Sequence, residues 1–377
     1  MIKVVHIITG LGQGGAEVML YNLLAHMDKT RFDNHVISMT DEGVFGEKIK
    51  ALGIPLYCLH MQPQKLSLAH IRHYHRLIKS IHPQIVQAWM YHANFFSAIV
   101  RPFLPAHHIF FNIRTTLNGL QGGKKSTHLI VKLNAWLSRF VTGVINNSSV
   151  SQTQHYRIGF SKKNAIHIEN GFDIARLRPS TSLYAQFRKT QQYPIETKIV
   201  AMFARFHPIK NHTAFLAMAK TLQETLPAKV IYLMAGTCVD HSNVELMANI
   251  QSLGLTEQVL LLGNVDVASY LPATDVVVLP SLGEGFPNIL GEAMACGVPC
   301  VATDVGDTRR ILADYGYTTA VNDVAALAAQ VSKILSLPTA AYQALSNHCV
   351  AHIRQKYSIL AITKQYEKLY TRVIDKK

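Results

Sequence analysis

Twice in this chain a short β-branched run breaks into a turn and then into residues at helical spacing. Each time the strand-then-helix alternation continues. The first series opens with Val4–Thr9, the glycine-rich turn GLGQGG (Gly10–Gly15) and an apolar-periodic stretch at Ala16–Met27. It runs on through His35–Thr40, Gln84–Trp89, His108–Asn112, Gly143–Asn146 and Ala165–Glu169. The second opens at Lys198–Ala204 and adds Lys229–Ala235, Val259–Leu262, Val276–Pro280 and Pro299–Thr303. Strands separated by helices pair in parallel through right-handed crossovers, so each series predicts a doubly wound parallel sheet. The 377 residues also exceed what one core ordinarily organises. The expected division is 1–178, a Pro-bounded linker at 179–197, and 198–354.

Composition narrows the class. At 49% hydrophobic the chain can fill packed cores, which excludes a disordered protein. No run reaches the ~18 consecutive apolar residues of a membrane-spanning helix, and MIKVVHIITGLG does not read as a signal peptide. Five cysteines form no CxxC pair, so reduced thiols in the cytoplasm are expected, with neither a disulfide framework nor a metal site.

Charge is unevenly shared. Residues 1–178 hold 20 Lys and Arg against 8 Asp and Glu, whereas 179–377 hold 17 against 15. The first part also carries 14 of the 19 histidines. Such a field suits a polyanion or an anionic membrane face. In Leu66–His82 an apolar stripe (Ile71, Tyr74, Ile78, Ile81) alternates with Arg72, Arg76 and Lys79, so the stripe packs the core and any docking is electrostatic.

Gly10, Gly12 and Gly15 satisfy G-x-G-x-x-G between a strand and a helix, with Asp41 closing the next strand. The pattern promises close approach of a ligand to free N–H groups, and a tight turn without a ligand satisfies it equally. In the second series Arg205 and Lys210 flank one strand-to-helix turn. Cations at the positive end of a helix dipole call for an anion, and a diphosphate serves. The densest block is GEGFPNILGEAMACGVP, with Glu284 in the loop before a helix starting near Asn288 and Glu292 on its first turns. Both carboxylates can face the carboxyl edge of the sheet, where open α/β sheets take ligands.

The block Glu284–Glu292 resembles the E-x7-E motif of the retaining GT-B glycosyltransferases of family 4. GLGQGGAE (Gly10–Glu17), NGFD (Asn170–Asp173), the Arg205…Lys210 pair and a Tyr-bearing C-terminal helix agree with it, over essentially the full length. The resemblance implies an α/β GT-B fold of two Rossmann-like domains facing a cleft, with the C-terminal helix (355–377) crossing back onto the first. It implies a nucleotide-sugar donor and no cofactor. Arg205 and Lys210 would hold the diphosphate, Glu292 the ribose and Glu284 the hexose. Phe286, Pro287 and Asn288 would line the donor site, and Gly14 and Gly15 would approach the diphosphate. Front-face retention needs no dedicated general base, and no D-x-D triplet calls for a metal. Where many members carry a histidine this chain reads FNIRTTLNG, so Arg114 stands there as a catalytic candidate, with His92 as a second acceptor-side candidate. NGFD would shape a turn.

The reading is a retaining hexosyltransferase acting on a lipid-linked or envelope-glycan acceptor at the inner membrane face. Alternatives are a nicotinamide-dependent oxidoreductase, supported by Gly10–Gly15 and Asp41, and a GT-B-like nucleotide-sugar epimerase. No nucleic-acid module accompanies the positive charge, so no specific nucleic-acid partner is expected.

Overall fold

The computed structural model describes residues 1–12, 14–62, 67–104, 107–117 and 125–375. Gln13 of the glycine turn, Leu66 of the basic segment, Asn118 and Gly119 of FNIRTTLNG, and Lys376 and Lys377 lie outside the described residues. The chain divides into two compact units, Met1–Gly171 with Ile359–Lys377, and Phe172–Ser358.

The first unit runs β1 (Ile2–Ile8), α1 (Gly15–His26), β2 (Phe32–Ser38), α2 (Gly46–Ala51), β3 (Leu56–Cys58), α3 (Leu68–Ile81), β4 (Ile85–Trp89), α4 (Met90–Val100), β5 (His108–Ile113), α5 (Lys125–Leu137), β6 (Gly143–Asn146), α6 (Ser149–Arg157) and β7 (Ala165–His167). The sheet order is β3-β2-β1-β4-β5-β6-β7, parallel throughout. Because both faces are covered by helices, β1 and β4 are mostly apolar, and the His6 and Gln87 that interrupt them are buried too. One difference from the expected strands concerns β2, which starts at Phe32, three residues before the expected His35. Phe32 is buried and in register with Ile2. The intervening Asp33 and Asn34 hid that start.

The second unit runs α7 (Thr181–Thr190), β8 (Lys198–Phe203), α8 (His212–Thr225), β9 (Val230–Ala235), α9 (Val244–Ser252), β10 (Val259–Leu261), β11 (Val276–Leu279), α10 (Asn288–Ala295), β12 (Cys300–Thr303), α11 (Thr308–Leu312), β13 (Tyr317–Thr319), α12 (Val324–Leu335) and α13 (Thr339–Lys356). Its order is β10-β9-β8-β11-β12-β13, again all parallel. In each sheet the order reverses once, between β1 and β4 and between β8 and β11. The loops leaving those four strands diverge there and open a crevice at the carboxyl edge.

The final helix, α14 (Ile359–Asp375), belongs to the first unit and buries Ile359, Ile362, Tyr366 and Tyr370 against the face that carries α1. Each large side chain so buried contributes about 1.5–3 kcal/mol. The chain therefore changes unit at Gly171/Phe172 and Ser358/Ile359, a few residues from the expected 178 and 355. A Cβ on Gly171 would stand 2.8 Å from the Ile359 backbone, so the two crossings pass each other too closely for any side chain.

The expected linker at 179–197 is corrected. It contains α7, whose first turn is capped by Ser180 accepting the Leu183 N–H at 3.2 Å. The helix docks through Arg188, which is 1% exposed. Its guanidinium donates to Asp275 Oδ2 (2.8 Å) and the Ala273 carbonyl (2.9 Å) and lies over the Tyr184 ring. Polar TSLYAQFRKT offers only Leu183 and Phe187 as an apolar stripe, which is why the segment read as a connector. Burial raises the Asp275 carboxyl above the usual range despite the arginine beside it. The pair thus fixes geometry more than it stabilises, yet stranding one charge is costly. Asp275→Ala is expected to lower unfolding stability by about 3–5 kcal/mol in urea titration, and a loss under about 1 kcal/mol would refute a buried ion pair.

Candidate functional site

Strand β8 ends at Phe203 and delivers Arg205 to the carboxyl edge. A 3-10 turn, Pro208–Lys210, then carries Lys210 to the threshold of α8. The His207 side chain accepts the Ile209 N–H at 3.2 Å and shapes that turn. Asn211, at φ 56°, accepts the Ala214 N–H as the N-cap of α8. Arg205 is exposed and makes no hydrogen bond or ion pair with the described residues. A Cβ on Gly236 would meet the Ala204 carbonyl oxygen at 2.3 Å and the Arg205 nitrogen at 2.8 Å, so the β9 loop lies directly against the backbone that presents Arg205.

Strand β11 delivers the partner loop. Glu284 Oε1 accepts from Lys210 Nζ at 2.6 Å and from Ser281 Oγ at 2.7 Å, with both charged side chains mostly buried. The Leu282 N–H donates to the Ile209 carbonyl at 2.8 Å, which ties the two loops at the backbone. Gly306, at φ 60°, braces the far side. A Cβ there would lie 2.6 Å from the Glu284 carbonyl oxygen, and the Asp307 N–H donates to the Gly285 carbonyl at 2.9 Å. The structure thus joins Lys210 and Glu284 and leaves Arg205 unpaired at the same switch point.

Helix α10 follows with Pro287 at its N-cap and no side-chain cap, leaving its first turn directed at the crevice. Phe286 is buried and stacks on Phe172 of NGFD, with ring centroids 6.2 Å apart. A Cβ on Gly291 would stand 2.1 Å from the Phe172 ring, so the glycine in this helix exists to admit that phenylalanine. NGFD therefore seats α10 rather than merely shaping a turn. Glu292 is half-buried and its carboxyl is pushed up to about 7 by burial, with Arg176 opposing and Asp266 reinforcing the shift. Arg176 and Asp266 form an exposed ion pair.

In the first unit the turn after β1 presents Gly14 as the N-cap of α1 and Gly15 as its first residue, both without a side-chain cap. Asp41 does not close β2. It lies three residues beyond Ser38, is exposed, and its carboxylate accepts the Gly43 N–H at 3.2 Å. Across the β1/β4 switch point, Met90 turns from strand to helix at φ 69°, a strain of roughly 1–3 kcal/mol for a non-glycine residue. His92 follows on the first turn of α4, half-buried, with its pKa lowered by burial. Arg114, at the end of β5, donates to Asn170 Oδ1 and to Tyr366 Oη of α14, and its guanidinium lies 5.3 Å from the centre of the Trp89 ring.

Sequence reasoning missed the bracing glycines Gly236 and Gly306 and also Ser281, and it read Phe172 only as part of the NGFD turn. A solitary glycine in a loop carries no periodicity to announce which backbone it must let past. Among the described residues no group of three His, Cys, Asp or Glu is arranged to hold a metal ion. All five cysteines are free.

Two family models match, "Glycosyltransferase Family 4" over residues 13–176 and "Glycosyl transferases group 1" over 197–337. Together they take in most of both units, and the chain belongs to this glycosyltransferase family. EpsF of Bacillus subtilis (strain 168) is 26% identical over 327 residues, 84% of this chain and 83% of EpsF. The Escherichia coli UDP-Gal:alpha-D-GlcNAc-diphosphoundecaprenol alpha-1,3-galactosyltransferase is 29% identical over 164 residues, 42% of this chain and 41% of that enzyme. Among solved structures, Anabaena Alr3699/HepE in complex with UDP superposes with a TM-score of 0.84 at 22% identity, covering 98% of this chain and 100% of HepE. The fold is GT-B, and the nicotinamide-dependent reading of Gly10–Gly15 gives way to it.

A carboxyl whose folded pKa lies above its unfolded value adds stability at low pH and loses it as pH rises through the folded value. For Glu292 that window runs from about 4.5 to about 7. Glu292→Gln should leave the Tm little changed at pH 5 and raise it relative to the parent at pH 8. An identical difference at both pH values would refute the raised pKa.

Proposed function

We propose that this chain transfers a hexose-type sugar from a nucleotide-diphosphate sugar to a hydroxyl of a lipid-linked or envelope-glycan acceptor, with retention at the anomeric carbon and without a metal ion. The observation that carries the reading is the meeting of the Lys210–Glu284 pair and the unpaired Arg205 at the β8/β11 switch point. The sugar-diphosphate end of such a donor has two kinds of polar group, anionic phosphate oxygens and neutral hydroxyls. Lys210 and Arg205 suit the first, and Glu284, accepting from hydroxyls, suits the second.

In this reading the diphosphate takes the Arg205 fork and the Lys210 point charge, and the hexose hydroxyls bond Glu284. The first turn of α10, at Phe286–Asn288, lies beside the sugar and phosphate. Glu292 bonds the ribose diol, and its carboxyl near neutrality can donate as well as accept. The bond from C1 to the leaving phosphate oxygen breaks while the acceptor oxygen joins C1 on the same face. The acceptor proton passes to the departing phosphate, so the cations stabilise charge that grows on that phosphate. Arg114 belongs to the first unit, where the acceptor is proposed to bind. Held by Asn170, Tyr366 and Trp89, its guanidinium cannot act as a proton acceptor and serves to position acceptor-side groups.

HepE has been solved with UDP-glucose, and the Escherichia coli relative is named for a UDP-galactose donor and a diphosphoundecaprenol acceptor, which supports the donor and acceptor classes. The free cysteines support a cytoplasmic setting. The test is nucleotide release from UDP-, GDP- and ADP-sugars, with NMR of the sugar product. One donor should turn over and give product of unchanged anomeric configuration. Arg205→Ala and Lys210→Ala should each lower kcat about 10²–10³-fold with the unfolding transition intact. Release from no nucleotide sugar, or full turnover in a folded Arg205→Ala variant, would overturn the assignment.

A further inference from the structure

Between Glu47 and Glu169 there is no Asp or Glu, while residues 51–168 carry 13 Lys and Arg. Helix α5 lies in the middle of this stretch and is apolar on the side that should be polar. Val131, Asn134 and Ala135 face inward and are buried. The opposite face presents Leu129, Leu133, Trp136 and, one turn beyond the helix end, Phe140, at the i, i+4, i+7, i+11 spacing of one helical side. Leu129, Trp136 and Phe140 are 59%, 57% and 56% exposed. Trp136 and Phe140 pack edge to face on each other, with centroids 5.0 Å apart.

Cations border this ridge. Lys125, Lys132 and Arg139 are exposed along one flank of the helix. Arg101 donates to the Phe140 carbonyl and brings in the turn that carries Phe103, itself 71% exposed. Phe103 in turn borders a shallow cavity of about 400 Å³ shared with Arg72, His75 and Arg76 of α3. By contrast, α3 buries its apolar stripe of Tyr74, Ile78 and Ile81 in the core, and its one large exposed apolar residue is Leu68 at the N-terminal end.

We infer that the α5 face of the first unit docks on an anionic phospholipid surface. Leu133, Trp136 and Phe140 enter the boundary between headgroups and acyl chains, and Lys132, Arg139 and Arg101 meet the lipid phosphates. Charge complementarity selects this occupant. A second copy of the chain would set unpaired cations against unpaired cations. Nucleic acid would satisfy the charge and leave the aromatic ridge in water. A lipid surface satisfies both, because anionic headgroups attract Lys and Arg while amphipathic rings settle at the interface.

The test is co-sedimentation with vesicles of phosphatidylcholine, alone or mixed with phosphatidylglycerol, at an ionic strength where the Debye length is about 8 Å. Binding is expected only with phosphatidylglycerol present. Of the two tryptophans Trp89 is fully buried, so a blue shift of emission on binding reports Trp136. Trp136→Ser with Phe140→Ser should weaken binding about ten-fold or more. Lys132→Glu with Arg139→Glu should weaken it by about five-fold per charge removed. Trp136→Phe should bind while losing the emission shift, which separates docking from misfolding.

Absence of sedimentation with phosphatidylglycerol, or sedimentation with unshifted emission and indifference to the serine pair, would overturn the assignment. Equal weakening of binding to a DNA duplex by the serine pair, or a dimer dissolved by it, would reassign the face to nucleic acid or to a second copy. Nucleotide release from the donor is expected to be unchanged in these variants, so docking can fail without the transferase reading failing, and the reverse.

Discussion

An all-parallel sheet imposes one constraint from which the chemistry of this chain follows. Its crossovers must be right-handed, so a sheet that grows outward in both directions from its middle must reverse its strand order once. At that point two consecutive loops leave the carboxyl edge in opposite directions and cannot cover each other. In the second unit the diverging strands are β8 and β11, and their loops carry Arg205 with Lys210 and Ser281 with Glu284. The ion pair between Lys210 and Glu284 spans the gap that the topology opens.

What keeps the two loops from wandering is backbone against backbone. Gly236 admits the Ala204–Arg205 peptide and Gly306 admits the Glu284–Gly285 peptide, each at distances that exclude a Cβ. A side chain held only by its own rotamers would lose entropy on binding, and a loop wedged between neighbouring main chains has lost it already on folding. The same economy appears at Gly291, where a helix interior gives up a side chain so that Phe172 can lie against it and stack on Phe286. Glycine in a helix costs about 0.5–1 kcal/mol, and here the buried aromatic contact offsets it.

The first unit is organised around different physics. Its core is closed by α14, which returns from the end of the chain to bury two tyrosines, one of them bonded to Arg114. That bond converts a cation expected in a reactive place into a strut between a strand end, the Asn170 turn and the last helix. Residues 51–168 carry their Lys and Arg with no Asp or Glu among them, and Lys132 and Arg139 lie exposed beside an apolar ridge on α5 that the core does not need. Folding alone accounts for neither the charge nor the ridge, since a solvated helix face is ordinarily polar with charges of both signs.

The sequence by itself determined the two parallel α/β units, the strand-to-helix turns and the chemical types at the second switch point. Those features are local: β-branched runs, helical periodicity, glycines at turns, and acids and cations at short fixed spacings. Arg205, Lys210 and Glu284 were legible because each sits in the loop that follows a strand, and Glu292 because it stands at a short fixed spacing from Glu284 on the next helix. Tertiary structure alone decided that Lys210 meets Glu284, that Arg114 is tied to Tyr366, that α7 is a docked helix rather than a linker, and that the exposed ridge lies on α5. It also decided which glycines brace which loops. Each of these depends on residues tens to hundreds of positions apart approaching within a few ångströms, and no local pattern encodes that distance. The division follows from the range of the forces: propensity and periodicity act within a turn or two, whereas pairing, burial and charge complementarity wait for the fold to bring their partners together.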